Sequence, residues 1–216
     1  MKLHKWSPWA ISILLGTALL LHGACVCDSC EPGEPQLTTE TIQPGDADGK
    51  DTYVYFDNPG NTHGSEAFVF AGAGIGNEIC RSYLQFDLSA IPTTAVVTTA
   101  ELGLYYLNSV GTGPTPIGAY RVTSSWDGDA MNWHSQPESV TTPEDINTVP
   151  AAVTLDWEYW CINDLVQGWV NGSIENHGVL LKDTDEAMAK AYKAFYSSDW
   201  GTAAQRPKLV VTYYEP

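Results

Sequence analysis

Basic residues are scarce in this chain. Only 10 of its 216 residues are Lys or Arg, against 26 Asp or Glu, giving a formal net charge of −16. A surface of that sign repels nucleic acid and anionic membrane, and no basic patch is present from which a nucleic-acid interface could start. Long apolar runs are missing as well. The stretch Trp9 to Leu21 is uncharged and largely apolar, but its 13 residues fall short of the ~20 that a membrane-spanning helix needs. The chain has no phosphate-binding GxxxxGK[ST] loop, no HExxH and no GxSxG nucleophile elbow. Past residue 24 the histidines are His63, His134 and His177. Asp127, Asp129 and His134 are near in sequence, but strands and loops would splay them. Two carboxylates can hydrolyse a glycosidic bond, yet acids are spread throughout and no pair stands out. These absences argue against an enzyme.

The N-terminus reads as a targeting segment. Lys2 and Lys5 precede the short apolar run, and Gly23, Ala24 and Cys25 follow it, as in a secretory signal of residues 1–24. Leu21-His-Gly-Ala-Cys25 resembles a bacterial lipoprotein cleavage box, with His22 where Leu is usual. That resemblance implies lipid on Cys25 and an extracytoplasmic, membrane-anchored protein; ordinary secretion with cleavage nearby is the alternative. Residues 25–45, rich in Pro, Gly, Thr and Glu without hydrophobic periodicity, read as a flexible tether, and residues 46–216 as one folded domain. If Cys25 carries lipid, Cys27, Cys30, Cys80 and Cys161 remain. An oxidising compartment favours disulfides. Four cysteines allow three connectivities, and a bridge between Cys80 and Cys161, both just ahead of core segments, is the expectation carried forward.

Beyond the tether, short β-branched and aromatic runs alternate with turn signals. Strands are predicted over Thr52 to Phe56, Ala67 to Ala71, Ser82 to Leu88, Ala100 to Leu107, Ile117 to Val122, Val153 to Trp157, Glu158 to Ile162, Gly178 to Lys182 and Leu209 to Tyr214. Within Ala100 to Leu107, Leu102, Leu104 and Tyr106 share one face. One segment has helical spacing: Ile162, Leu165, Val166, Trp169 and Val170, closed by Asn171-Gly172. Asp185 to Lys193 reads as a helical turn on a loop. No internal repeat is present. The fold class expected is all-β, a jelly-roll-type sandwich with one short amphipathic helix.

Several motifs occur in a fixed order. Asp51-Thr-Tyr-Val and Gly64-Ser65 come first, then Arg81-Ser-Tyr-Leu-Gln-Phe-Asp-Leu88 and Ala100-Glu-Leu-Gly-Leu-Tyr105. Trp126 to Pro137 follows, then Val166 to Leu181 and Arg206-Pro-Lys-Leu-Val-Val-Thr-Tyr213. This ordered set resembles the DNRLRE domain, also classed as carbohydrate-binding module family 96, over about Asp51 to Tyr214. The resemblance implies a secreted, non-catalytic jelly-roll domain of cell surfaces, with polysaccharide as the partner in some members. Acidic polysaccharides such as alginate are associated with the family. With Lys2 and Lys5 removed, this chain sets 8 basic residues against 26 acids, so the expected glycan here is neutral. A structural or adhesive envelope component with a protein partner is the alternative.

Trp126, Trp133 and Trp169 lie inside the motifs and read as core packing; Arg81 and Asp87, at the ends of a buried strand, read as structural. The carbohydrate-binding candidates are Trp157 and Tyr159 in Asp156-Trp-Glu-Tyr-Trp160, Trp200 in the polar loop Ser197 to Thr202, and Tyr105. Aromatic rings stack on the apolar face of a sugar while polar neighbours bond its hydroxyls. Asp46, Asp48 and Asp51 crowd oxygen ligands together and are candidates for a structural Ca²⁺; Pro44 stands where an EF-hand would begin. No other cofactor is expected.

Overall fold

A computed structural model describes residues 34–216 apart from 77 and 189. The targeting segment, the lipidation candidate Cys25, and Cys27 and Cys30 lie outside the described residues. Within them the strands are β1 (Thr38–Ile42), β2 (Lys50–Tyr55), β3 (Phe68–Ala73), β4 (Ile79–Gln85), β5 (Val96–Gly111), β6 (Thr115–Arg121), β7 (Asp145–Val149), β8 (Trp157–Cys161), β9 (Val179–Asp183), β10 (Ala191–Tyr196) and β11 (Lys208–Tyr214). The α-helix is α1 (Asn163–Val170), and two 3-10 turns complete the set. The strands run in the order β1-β11-β5-β10-β3-β4-β9-β6-β7, with β2 added to β4 and β8 added to β5. Every pairing is antiparallel.

The sheet curls into a sandwich through β5. Its first part pairs with β11 and its last part with β10, where a register shift at Ala194/Phe195 marks an irregularity. β8 takes the other edge of β5 at residues 101–105. Alternation along β5 does what its sequence predicts. Leu102, Leu104 and Tyr106 are fully buried, packed in one cluster with Leu209 and Val211 of β11, Val179 and Leu181 of β9 and Trp160 of β8. Each such side chain contributes ~1.5–3 kcal/mol by leaving water. Helix α1 closes this core with Leu165, Val166, Trp169 and Val170. It is pinned to β5 by two side chains: Asn163 Oδ1 accepts from the Ala100 N–H (2.6 Å) and Gln167 Oε1 from the Val97 N–H (2.8 Å). A smaller cluster, Val54, Tyr83, Tyr120, Val122, Met131 and Leu180, is capped by Trp126 and Trp133. The all-β sandwich with one short helix is thus the fold observed. Among the described residues no helix is long and apolar enough to cross a membrane.

Several local expectations are corrected. The C-terminal part of the expected tether is β1, an edge strand laid along β11 from Thr38↔Tyr213 to Ile42↔Leu209. Its Thr-Thr-Glu-Thr-Ile run is β-branched, and pairing with β11 outweighs its polarity. β7 lies in a segment with no strand prediction. The end of the expected helical turn over Asp185 to Lys193 is instead the start of β10. The strand predicted from Val153 begins only at Trp157, because Leu155 adopts a left-handed backbone, φ 53°.

The proposed Cys80–Cys161 bridge is absent: both thiols are free. Cys80 is buried on β4 and Cys161 is exposed on β8. In the strand order β5, β10 and β3 lie between them. At ~4.8 Å per strand that is far beyond the ~7 Å limit for a disulfide. Arg81 is structural, but its partner is Glu186, held by a two-pronged contact of 2.7 and 2.6 Å, with the guanidinium 4.6 Å above Trp133. Asp87 bonds Ser89 instead.

Candidate functional site

Residues that alternate with the buried face of β5 point away from the core. Gly103 and Tyr105 are two of them. On β8 Trp160 is buried, so Trp157 and Tyr159, three and one residues before it, face outward. Trp157 is the direct cross-strand partner of Tyr105, and their rings meet edge to face with centroids 5.6 Å apart. Tyr159 lies nearly parallel to Trp157 at 6.2 Å and is 38% exposed. On the other side of β5, Tyr105 approaches Tyr196 of β10 at 5.9 Å. Tyr196 pairs in turn with Phe68 of β3, at 5.9 Å between rings. Trp200 stacks on Tyr196 at 4.2 Å with planes 19° apart. Four neighbouring strands therefore carry one continuous aromatic row from Tyr159 to Trp200 and Phe68. All four aromatic candidates from the sequence fall in it. Tyr196 and Phe68 were not among them: Tyr196 follows the helical turn read over Asp185 to Lys193, in a segment with no strand prediction.

The supports of the row are specific. A methyl group on Gly103 would lie 2.9 Å from Tyr159 Cε1 and 3.2 Å from both Trp157 Cε3 and Lys208 Cε, so the absence of a side chain there lets three groups converge. Lys208, paired with Gly103, sets its ammonium 3.7 Å from the Trp157 ring centroid, a favourable cation–π contact. The Tyr105 hydroxyl donates to the carbonyl of Leu155, the residue with left-handed backbone, a conformation costing ~1–2 kcal/mol without glycine. Trp200 is not the free loop ring expected. Its indole N–H donates to Gln205 Oε1 (3.0 Å), and its carbonyl accepts from Arg206 Nε (2.6 Å).

An acidic cleft of about 560 Å³ adjoins the Trp200 loop through Asp199 and is lined also by Asp46, Asp51, Asp127 and Asp129 beside Lys50 and Trp126. Asp51 is buried, and its carboxylate accepts from the Ser198 N–H at 2.8 Å. Burial pushes its pKa up to about 6. Asp199 is also raised, by burial and then by Asp46 and Asp129. The three aspartates proposed for Ca²⁺ do not form one ligand set. Gly45 to Gly49 folds into a turn, and Asp48 lines a separate depression with Gln85, Asp87 and Asn176. Among the described residues no group of three or more His, Cys, Asp or Glu is placed to hold a metal ion. His134 sits on the 3-10 turn Trp133–Ser135, away from the lining of the acidic cleft.

The model for carbohydrate-binding module family 96 matches residues 46–213. The chain belongs to that family. The match runs from ahead of β2 to within one residue of the end of β11. It therefore includes every residue of the aromatic row, and it leaves β1 outside. No curated protein matches the chain. Membership in a carbohydrate-binding module family makes polysaccharide the partner class.

Proposed function

We propose that this family 96 module binds a neutral polysaccharide on the aromatic row, without catalysis, and is held outside the cytoplasm by lipid on Cys25. The continuous run of rings from Tyr159 through Trp157, Tyr105 and Tyr196 to Trp200 carries the reading. Tyr159 is exposed, and Trp157 and Trp200 are partly buried; unlike Trp126 and Trp133, which cap the smaller core cluster, they belong to the row.

The placement of the cations supports a neutral ligand. Lys193 is fully buried and spends its three protons on Ser109 Oγ and the carbonyls of Gly113 and Pro150. Lys182 lies over the Tyr120 ring, and Arg206 is tied to Trp200. Lys208 also stands beside the row, where its ammonium can donate to hydroxyls. Affinity electrophoresis against neutral glucan, mannan and xylan, and against alginate and pectate, tests the reading at low and high salt. Neutral chains should retard the protein with little salt dependence, since screening acts only on charge. Trp157→Ala or Trp200→Ala should each weaken binding roughly tenfold, about 1.4 kcal/mol, without loss of the folding transition. Salt-sensitive binding to alginate that ignores both substitutions would refute it.

A further inference from the structure

Beside the aromatic row lies a second concave feature that the row does not use. Tyr192 of β10 pairs with Gly72 of β3, Gly72 with Cys80 of β4, and Cys80 with Tyr55 of β2. This cross-strand rank has two large residues outside and two small ones between. The Tyr55 and Tyr192 rings stand 6.4 Å apart. The gap is a pocket of about 110 Å³ lined by Tyr53, Tyr55, Phe70, Cys80 and Tyr192. Phe70 meets Tyr53 edge-on at 4.8 Å and Tyr192 at 6.0 Å, so the walls brace one another. β3 and β10 contribute to both features: Phe68 and Tyr196 to the row, Phe70 and Tyr192 to the pocket.

We infer that this pocket is a separate subsite for a single sugar ring. Its size admits the edge of one ring: at about 110 Å³ it is smaller than the ~150 Å³ enclosed cavity that benzene fills, so a C–H edge or hydroxymethyl group enters while the rest of the ring projects into solvent. The walls are aromatic, and carboxylates are close by. Tyr53 donates to Glu66 Oε2 at 3.0 Å. Glu78 and Asp57 lie close enough to Tyr55 to raise its pKa, after burial, to about 12. Such acids accept hydrogen bonds from sugar hydroxyls, and the surrounding negative charge disfavours an anionic guest. The Cys80 thiol is kept protonated by burial and by Glu78, so it forms part of the floor and is not a nucleophile. A ring held here and a chain held on the row would engage one branched polysaccharide at two points of one rigid surface, which multiplies affinity without new contacts. That consequence rests on the row reading; the pocket itself does not.

The test is saturation-transfer NMR on the full chain with methyl glycosides of glucose, galactose, mannose and xylose as probes. At least one should receive saturation, and should still receive it in the Trp157→Ala/Trp200→Ala double variant, where the row is disabled. Cys80→Met, which fills the pocket, should abolish the transfer; Cys80→Ser, close in size, should retain it; Tyr192→Ala, which removes a wall, should reduce it at least fivefold. Each variant must keep the wild-type melting transition to count. Transfer lost in the row double variant would place the ring on the row and overturn the pocket. So would transfer that survives Cys80→Met, or transfer to none of the four glycosides.

Discussion

Gly103→Ala separates the stability of the domain from its binding. The backbone at Gly103 lies outside the left-handed region, so alanine fits the strand. Removing a glycine stabilises by ~0.4–1 kcal/mol through the unfolded chain. Against that stands the new methyl, 2.9 Å from Tyr159 Cε1 and 3.2 Å from Trp157 Cε3 and Lys208 Cε. Overpacking in a closed core would cost ~1–3 kcal/mol. These three side chains sit on the surface face and can swing outward, which puts the cost at the lower end. The two effects nearly cancel, and the urea midpoint should move little, within about 1 kcal/mol. Binding should respond differently. Trp157 and Tyr159 are nearly parallel, 27° apart, and the methyl forces one of them to tilt. Loss of one stacking contact is worth about 1 kcal/mol, or roughly fivefold to tenfold in Kd. Paired urea titration and affinity electrophoresis on a neutral polysaccharide read both quantities. Wild-type affinity in a variant of wild-type stability would show that the Trp157–Tyr159 end of the row takes no part in binding.

Two further outcomes follow from particular groups. Asp51 has a folded pKa of about 6 against an ordinary 3.8, so the folded state binds its proton more tightly than the unfolded chain does. Its ionised form therefore costs about 3 kcal/mol at neutral pH, taking ~1.4 kcal/mol per pKa unit. That cost is relieved as pH falls through 6 towards 4. The stability gained by Asp51→Asn should shrink across that window in urea titrations, and a constant difference would contradict the buried-carboxylate account. Ahead of the domain, Cys25→Ala should move the protein from the membrane to the soluble export fraction; unchanged fractionation would exclude the lipid anchor.

Much of the fold is legible in the sequence because burial enforces period. Leu102, Leu104 and Tyr106 on a strand, and Leu165, Val166, Trp169 and Val170 on a helix, each name a face and find it. What escapes is set by partners distant in sequence. β1 is a polar run made into a strand by β11. The helical turn read over Asp185 to Lys193 runs into β10, where a lysine between aromatics becomes part of a central strand; Lys193 is buried because three acceptors from β5, the following loop and the loop after β7 surround its ammonium. Tyr196, the ring that links Tyr105 to Trp200, lies just past that turn, in a stretch with no strand prediction. Cysteine pairing failed for a related reason: two residues ahead of core segments need not share a sheet edge. The three aspartates of the N-terminal loop sit close in sequence, but a turn points Asp48 away while β2 buries Asp51.

The edge strand β1 gives the domain a mechanical polarity. Thr38 enters opposite Tyr213, at the far end of β11, while the near end of that strand, Lys208, faces Gly103 beneath the rings. A pull on the chain ahead of Thr38, resisted by a polysaccharide held on the row, is therefore applied at opposite ends of the same ladder. The five residue pairs between β1 and β11 are loaded together in shear. They would not be peeled apart one at a time, and the rings would stay in place until the whole ladder slipped.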